Sequence, residues 1–232
     1  MSIRVLVILF FALIIGLSAC KKNNDAPTVA VSSGLNIINA STDTVNFYLN
    51  GTRLNNNSNL YPLFSSGYIG VISGQQNFQV KKIFNPVTSI VQPLFNITIP
   101  LDTGRFYSLF IAGETAAQAF STLDDLRSDT LANTCLVRFV NASTDAGSLN
   151  LSINNTVVSQ NIAFKSASPF VQIKIGLVKQ SFKVFQPGSV TPLVSDSLLF
   201  SAGNSYTLYS QGKIKGTGNS AFTVISMLNF SN

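Results

Sequence analysis

A five-residue word, Asn-Ala-Ser-Thr-Asp, stands at residues 39–43 and again at 141–145, 102 positions later in a chain of 232. Each copy follows a run of apolar residues, and an exact recurrence of this kind marks a duplicated unit, which bounds the fold before any single side chain is interpreted. Three further landmarks recur in the same order. Val45 to Thr52 matches Leu149 to Thr156, and both runs reach an Asn-led pair (Asn50-Gly51, Asn154-Asn155) suited to a tight hairpin turn at positive φ. Tyr68 to Gly74 matches Phe170 to Gly176, and Leu101 to Leu109 matches Phe200 to Leu208 with a shared Gly-x-x-Tyr.

Each copy has roughly a hundred residues, enough for a sandwich with its own core. The segments between landmarks are short, rich in β-branched and aromatic residues, and separated by Gly, Pro, Asn and Ser. No long stretch has the 3.6-residue period of a helix. The expected fold is therefore all-β: two tandem immunoglobulin-like antiparallel β-sandwich domains, residues 34–127 and 134–232. Ala116 to Arg127 is the one place where a helical turn is expected, and Asp124 to Asn133 reads as the connection between domains. Tyr107 and Tyr206 resemble the tyrosine corner of such sandwiches, in which the hydroxyl bonds back to nearby backbone.

Residues 1–20 read as an export signal, with Arg4 ahead of an apolar run from Val5 to Ile15 and small residues near its end. Leu17-Ser18-Ala19-Cys20 looks like a bacterial lipobox, in which Cys20 becomes the acylated first residue of the mature protein. The chain is then expected to be held at a membrane, the outer membrane of a cell envelope, by lipid such as palmitate. Residues 21–33, opening with Lys21-Lys22 and lacking apolar periodicity, read as a flexible tether.

Val137-Arg138-Phe139-Val140-Asn141-Ala142-Ser143-Thr144-Asp145 and the later Gly203-Asn204-Ser205-Tyr206-Thr207 resemble the paired motifs of a bacterial family, the domain of unknown function 4397 (DUF4397). The second copy is the closer match: Leu35-Asn36-Ile37-Ile38 replaces the Arg-Phe-Val lead in the first, and Thr42 and Thr144 stand where the family often has Pro. The resemblance implies a fold and brings no activity with it. Asp43-Thr44-Val45, Asp129-Thr130-Leu131 and Asp196-Ser197-Leu198 also look like the acceptor for O-glycosylation of exported proteins in Bacteroidetes-type bacteria.

Composition restricts the chemistry. There is no His, so a triad hydrolase and a His-bound zinc site are excluded. Of nine acidic residues the one adjacent pair, Asp124-Asp125, falls in the expected connection, a poor place for a positioned catalytic pair. Two readings of Asp43 and Asp145 are open. Each could lend oxygens to a Ca²⁺ site, or bond its own backbone in a turn with Asn39 or Asn141, and the turn accounts better for a single carboxylate per word. With Cys20 consumed by the anchor, no second cysteine of this sequence is left to form a disulfide with Cys135. The net charge of +6 is spread thinly, with Lys174, Lys179 and Lys183 sharing one mildly basic surface. Nucleic-acid binding is not expected, because basic residues do not cluster with aromatics.

These features together predict a non-catalytic, lipid-anchored envelope protein presenting a surface to a glycan or another envelope protein, with no cofactor unless Ca²⁺. Tyr48, Tyr61, Tyr68 and Tyr209 are the candidate ligand contacts. A purely structural spacer or subunit of a surface assembly is the alternative. An exposed aromatic cluster would favour the glycan, and a long uncovered edge strand would favour assembly.

Overall fold

The computed structural model describes residues 32–55, 58–85, 90–124, 126 and 132–230. The export signal, Cys20, the tether up to residue 31, Asp125 and Asp129-Thr130-Leu131 lie outside these. Residues 31–232 form one compact unit.

The first copy comprises β1 (Ser32–Asn39), β2 (Val45–Leu49), β3 (Thr52–Arg53), β4 (Ser65–Ile72), β5 (Gly74–Asn85), β6 (Ile90–Leu101), β7 (Phe106–Ile111) and β8 (Ala119–Asp124). The second comprises β9 (Thr134–Asn141), β10 (Leu149–Ile153), β11 (Thr156–Ile162), β12 (Ser166–Ala167), β13 (Val171–Lys174), β14 (Gln180–Phe185), β15 (Val194–Leu198), β16 (Ser205–Gln211) and β17 (Thr223–Phe230). Each copy pairs two sheets. Sheet β4-β1-β7-β8 stacks on β3-β2-β5-β6, and its counterpart β12-β9-β16-β17, with β13 also on β9, stacks on β11-β10-β14-β15. The chain is all-β and built as sandwiches.

Alternation within a strand does not reveal its neighbour's direction, and here it conceals one feature. The strand leading into each word pairs in parallel with the Gly-x-x-Tyr strand, β1 with β7 and β9 with β16, while the other strand pairs are antiparallel. These partners are far apart in sequence, so the chain has the length to cross over between them. The hairpin turns sit where the Asn pairs stand: Asn50 and Gly51 have φ of 50° and 79°, Asn154 and Asn155 48° and 63°.

Two boundaries differ from expectation. β1 begins at Ser32, inside the segment read as tether, because Ser33 Oγ bonds Ser73 Oγ at 2.9 Å and the Asp102 carbonyl at 2.7 Å. The expected helical stretch from Ala116 is a single 3₁₀ turn, Ala116–Gln118, followed by β8. Phe120, Thr122 and Asp124 alternate along β8 as buried residues, a strand pattern that the alanines obscure, and this takes Asp124 out of the connection and into a sheet.

Each sandwich has its own core. Phe47 and Phe78 stack at 5.0 Å in the first, and Phe139, Leu151, Val184 and Leu208 are fully buried in the second, with Cys135 among them. A third buried cluster joins the copies: Ile38, Ala40, Phe110, Ala112 and Phe120 of the first against Val140, Ala142 and Tyr209 of the second. Hence β1 and β9 are covered on both faces. Leu35 and Ile37 face their own core, while Asn36 and Ile38 face the other copy.

β1 and β9 run in the same general direction. Their early residues meet at one level, Arg138 with Asp124 and Asn36 with Met227, and their last residues meet at another, Ala40 with Ala142. One end of the unit, the proximal end, therefore carries the start of the described chain at Ser32 and the start of the second copy at Thr134. The other, distal end carries both Asn-Ala-Ser-Thr-Asp words.

Candidate functional site

The word is a loop fastener. Asn39 Nδ2 donates to the carbonyls of Asp43 (2.7 Å) and Leu60 (2.9 Å), and its Oδ1 accepts from Ser41 N–H and Oγ. Asn141 repeats this with the carbonyls of Gly147 and Ile162, its Oδ1 accepting from Ser143 N–H and Ser210 Oγ. The tyrosine corners repeat as well: Tyr107 Oη accepts from Asp102 N–H at 3.1 Å, and Tyr206 Oη from Ser201 N–H at 3.0 Å.

The two Asp side chains differ. Asp145 Oδ1 accepts from Ile214 N–H (3.0 Å) and ties the word to the β16–β17 connection. Asp43 Oδ1 meets the Lys82 ammonium at 2.7 Å, which in turn lies 2.9 Å from Glu114. Hydrogen bonding to Asp43 pushes the Lys82 pKa up, and hydrogen bonding to Lys82 pulls that of Glu114 down. At Asp43 the lysine ammonium stands where a bound cation would stand. Among the described residues no three His, Cys, Asp or Glu side chains converge.

Between the copies lies a buried polar network that the sequence did not disclose. Asp124 Oδ1 accepts from Arg138 Nη2 at 2.5 Å, and Oδ2 from Tyr68 Oη and Ser108 Oγ, both at 2.6 Å. Arg138 Nε donates to Thr207 Oγ1 (2.8 Å), Nη1 to the Leu123 carbonyl (3.1 Å), and its guanidinium lies over the Phe170 ring. Asn229 Nδ2 closes the ring on Tyr68 Oη at 3.0 Å. Arg138 and Asp124 side chains are 2% and 0% exposed, so the pair is tolerable only because each group has several partners. Burial first, then the Asp124 charge, holds the Tyr68 pKa well above the usual phenol range, and burial alone does the same for Tyr209.

The interface has local two-fold character. Phe110 and Tyr209 occupy equivalent positions on β7 and β16 and meet edge to face at 5.6 Å, as equivalent residues do on such an axis. The tandem thus resembles a fused homodimer of sandwiches.

At the distal end a cleft of about 370 Å³ opens between the copies, lined by Ser41, Thr42, Asp43, Glu114 and Gln118 from one and Thr144, Lys213 and Ser220 from the other. At the same end the first copy projects Tyr61, Leu63 and Phe64, which are 52%, 43% and 63% exposed, with the two rings edge to face at 6.4 Å. Leu63 is held at φ 73° by its N–H to the Asn39 carbonyl, and its own carbonyl accepts from Tyr209 Oη. A left-handed leucine is uncommon, but Lys165 holds φ 66° at the equivalent position with its N–H on the Asn141 carbonyl, so the conformation belongs to the fold of both copies. Phe64 borders a second cleft, of about 240 Å³, lined also by Ser58, Asn59, Ser65 and Ser66.

Of the four candidate tyrosines, Tyr61 alone opens to solvent. Tyr209 is buried between the copies, Tyr68 is consumed by Asp124 and Asn229, and Tyr48 is half-buried with Lys81 stacked 4.2 Å above its ring. Tyr68 and Tyr209 are thereby corrected from ligand contacts to interface residues: both sit on the sheet face that the other copy covers, which a single-copy reading cannot anticipate.

The family model described as Domain of unknown function (DUF4397) matches residues 33–152 and 135–229. The chain belongs to this family. The two DUF4397 matches together cover nearly the whole described unit: the first spans the first copy and runs on into β10 of the second, and the other spans the second copy. No curated protein matches the chain. Among solved structures it is similar to the C-terminal domain of AlgF from P. aeruginosa (19% identity, 41% of this chain and 98% of that one, TM-score 0.28). It is also similar to CBMbc, a family CBM26 module of Amy13K from Eubacterium rectale, solved with maltoheptaose (10% identity, 84% and 96%, TM-score 0.26). At these scores neither likeness bears on the function of this DUF4397 chain.

Proposed function

We propose that the protein is a non-catalytic cell-envelope protein, anchored by lipid at Cys20, which presents its distal end to a glycan. The observation that carries this reading is the exposed Tyr61–Phe64 ring pair beside a cleft lined by amide and hydroxyl side chains. Sugars are bound through just this combination, an apolar ring face and a few polar groups fixed by a scaffold. The assembly alternative would use the edge strand β6, twelve residues long, but Pro93 and Pro100 remove two of its N–H donors and blunt it. The buried ionisable pair Arg138–Asp124 is occupied in joining the copies, which leaves it no catalytic task.

The test is thermal unfolding of residues 31–232 against a panel of polysaccharides, with and without Ca²⁺. A ligand of the native state raises the midpoint by mass action. The expected result is a rise with one glycan class that Tyr61→Ala abolishes. No rise with any glycan contradicts the reading and turns the search to protein partners.

A further inference from the structure

The proximal end carries a surface that the glycan reading does not use. β13 and β14 are joined through Gly176-Leu177-Val178-Lys179, where Leu177 is fully exposed and Val178 72% exposed. Leu199, half-exposed, follows directly on Leu198, the ladder partner of Gln180, and so lies beside this loop. Lys174 ends β13, Lys179 closes the loop, and Lys183 reaches back along β14 to Asn155 Oδ1 at 2.9 Å. In the first copy β4 and β5 are joined by Ser73 alone, so the apolar tip belongs to the second copy.

Among the described residues two exposed acidic groups lie toward this end, Asp124 there being buried against Arg138. Asp102 accepts from the Tyr107 hydroxyl, and Asp196 Oδ1 accepts from Ser197 N–H. Neither bonds to the three lysines.

We infer that this end docks on an anionic phospholipid bilayer, with Leu177 and Val178 dipping into the interface and Lys174, Lys179 and Lys183 on the headgroups. An exposed aliphatic tip ringed by lysines has the chemistry of an interfacial anchor, because the apolar atoms leave water while the ammonium groups stay with phosphate. Position selects the same partner. The described chain begins at this end, at Ser32, and residues 21–31, with Lys21 and Lys22, lead back from it to Cys20. A bilayer holding that cysteine would therefore lie on the Leu177 side and leave the Tyr61 loop outermost. The choice of which bilayer rests on the lipid-anchor reading; the affinity for anionic lipid does not.

The chain contains no Trp, so Leu177→Trp supplies a single reporter. Residues 31–232, one compact unit that lacks the lipid-bearing cysteine, are mixed with vesicles of phosphatidylcholine alone or with added phosphatidylglycerol. The expected result is a blue-shifted, lipid-quenched indole emission from the Leu177→Trp variant with the anionic vesicles only. Val190→Trp, at a fully exposed site between β14 and β15 at the distal end, should show no shift. In co-sedimentation, Lys174→Ser and Lys179→Ser each weaken binding roughly fivefold, and Leu177→Asp abolishes it without moving the unfolding midpoint. Equal behaviour with both vesicle types, or a shift in the Val190→Trp variant in place of the Leu177→Trp variant, overturns the proposal. Because the tested chain carries no lipid, failure here leaves the anchor reading standing; that reading fails separately if the mature protein shows no acyl mass on Cys20.

Discussion

The two copies bring the same positions to their shared interface and fill them differently. Asn36, Tyr68 and Ser108 of the first stand where Arg138, Phe170 and Thr207 stand in the second, and Asp124 ends β8 where Asn229 lies near the end of the corresponding strand β17. Across the local two-fold, one half of the interface is a buried ion pair, Arg138 to Asp124, and the other is the neutral contact of Asn36 Nδ2 with Met227 Sδ at 3.0 Å. Two identical surfaces could pair with any second copy. Arg138 and Asp124 on opposite partners make the pairing directional, a specificity that a buried polar group can give at some expense in stability.

The largest expected effect comes from breaking that asymmetry. Arg138→Ala leaves Asp124 buried and unpaired and should cost about 3–5 kcal/mol in urea unfolding. Phe110→Ala, which empties the axis position against Tyr209 and Phe120, should cost a similar 3–5 kcal/mol, or somewhat less if the copies close the gap. The equivalent of the first change, Asn36→Ala, should cost about 1 kcal/mol or less, since a neutral bond is lost and no charge is stranded. Equal losses for Arg138→Ala and Asn36→Ala would refute the asymmetry.

High pH sharpens the same contrast. Tyr68 and Tyr209 have folded pKa values raised above that of a free phenol, so the stability linked to them is complete below about pH 10 and is lost as pH rises from there toward the folded values. Tyr68→Phe should flatten the alkaline limb of a stability–pH curve. The smallest effect belongs to the surface: Glu114→Gln should change stability by no more than about 0.5 kcal/mol, because Glu114 is open to solvent and its lysine keeps Asp43.

The sequence made the duplication, the sandwich and the loop-fastening Asn39 and Asn141 readable, because each rests on local pattern: a repeated word, short β-rich runs, an Asn before a turn. It did not disclose Asp124. That residue sits in a strand shielded on one face by the other copy, and its partner Arg138 is fourteen residues away across a boundary that looked like a linker. Tyr68 and Tyr209 failed for the same reason. A clue was available in the leads to the words, where Leu35-Asn36-Ile37-Ile38 and Val137-Arg138-Phe139-Val140 are apolar on both faces around one polar residue, the mark of a strand covered twice. The Tyr61 loop was legible as a candidate, but its exposure and the left-handed Leu63 were not, since an αL leucine has no signature in composition.

The second copy folds the same loop with Lys165 at φ 66° and with Ala163 and Ser166 where Tyr61 and Phe64 stand. The triple exchange Tyr61→Ala, Leu63→Lys, Phe64→Ser therefore writes the second copy's loop onto the first without asking the backbone for anything new. Glycan retention and thermal unfolding measured together on this variant test the central claim most directly. The account predicts that retention falls about tenfold or more while the midpoint stays within about 2 °C of the parent. Undiminished retention with an unchanged midpoint would contradict it and move the binding surface away from Tyr61 and Phe64.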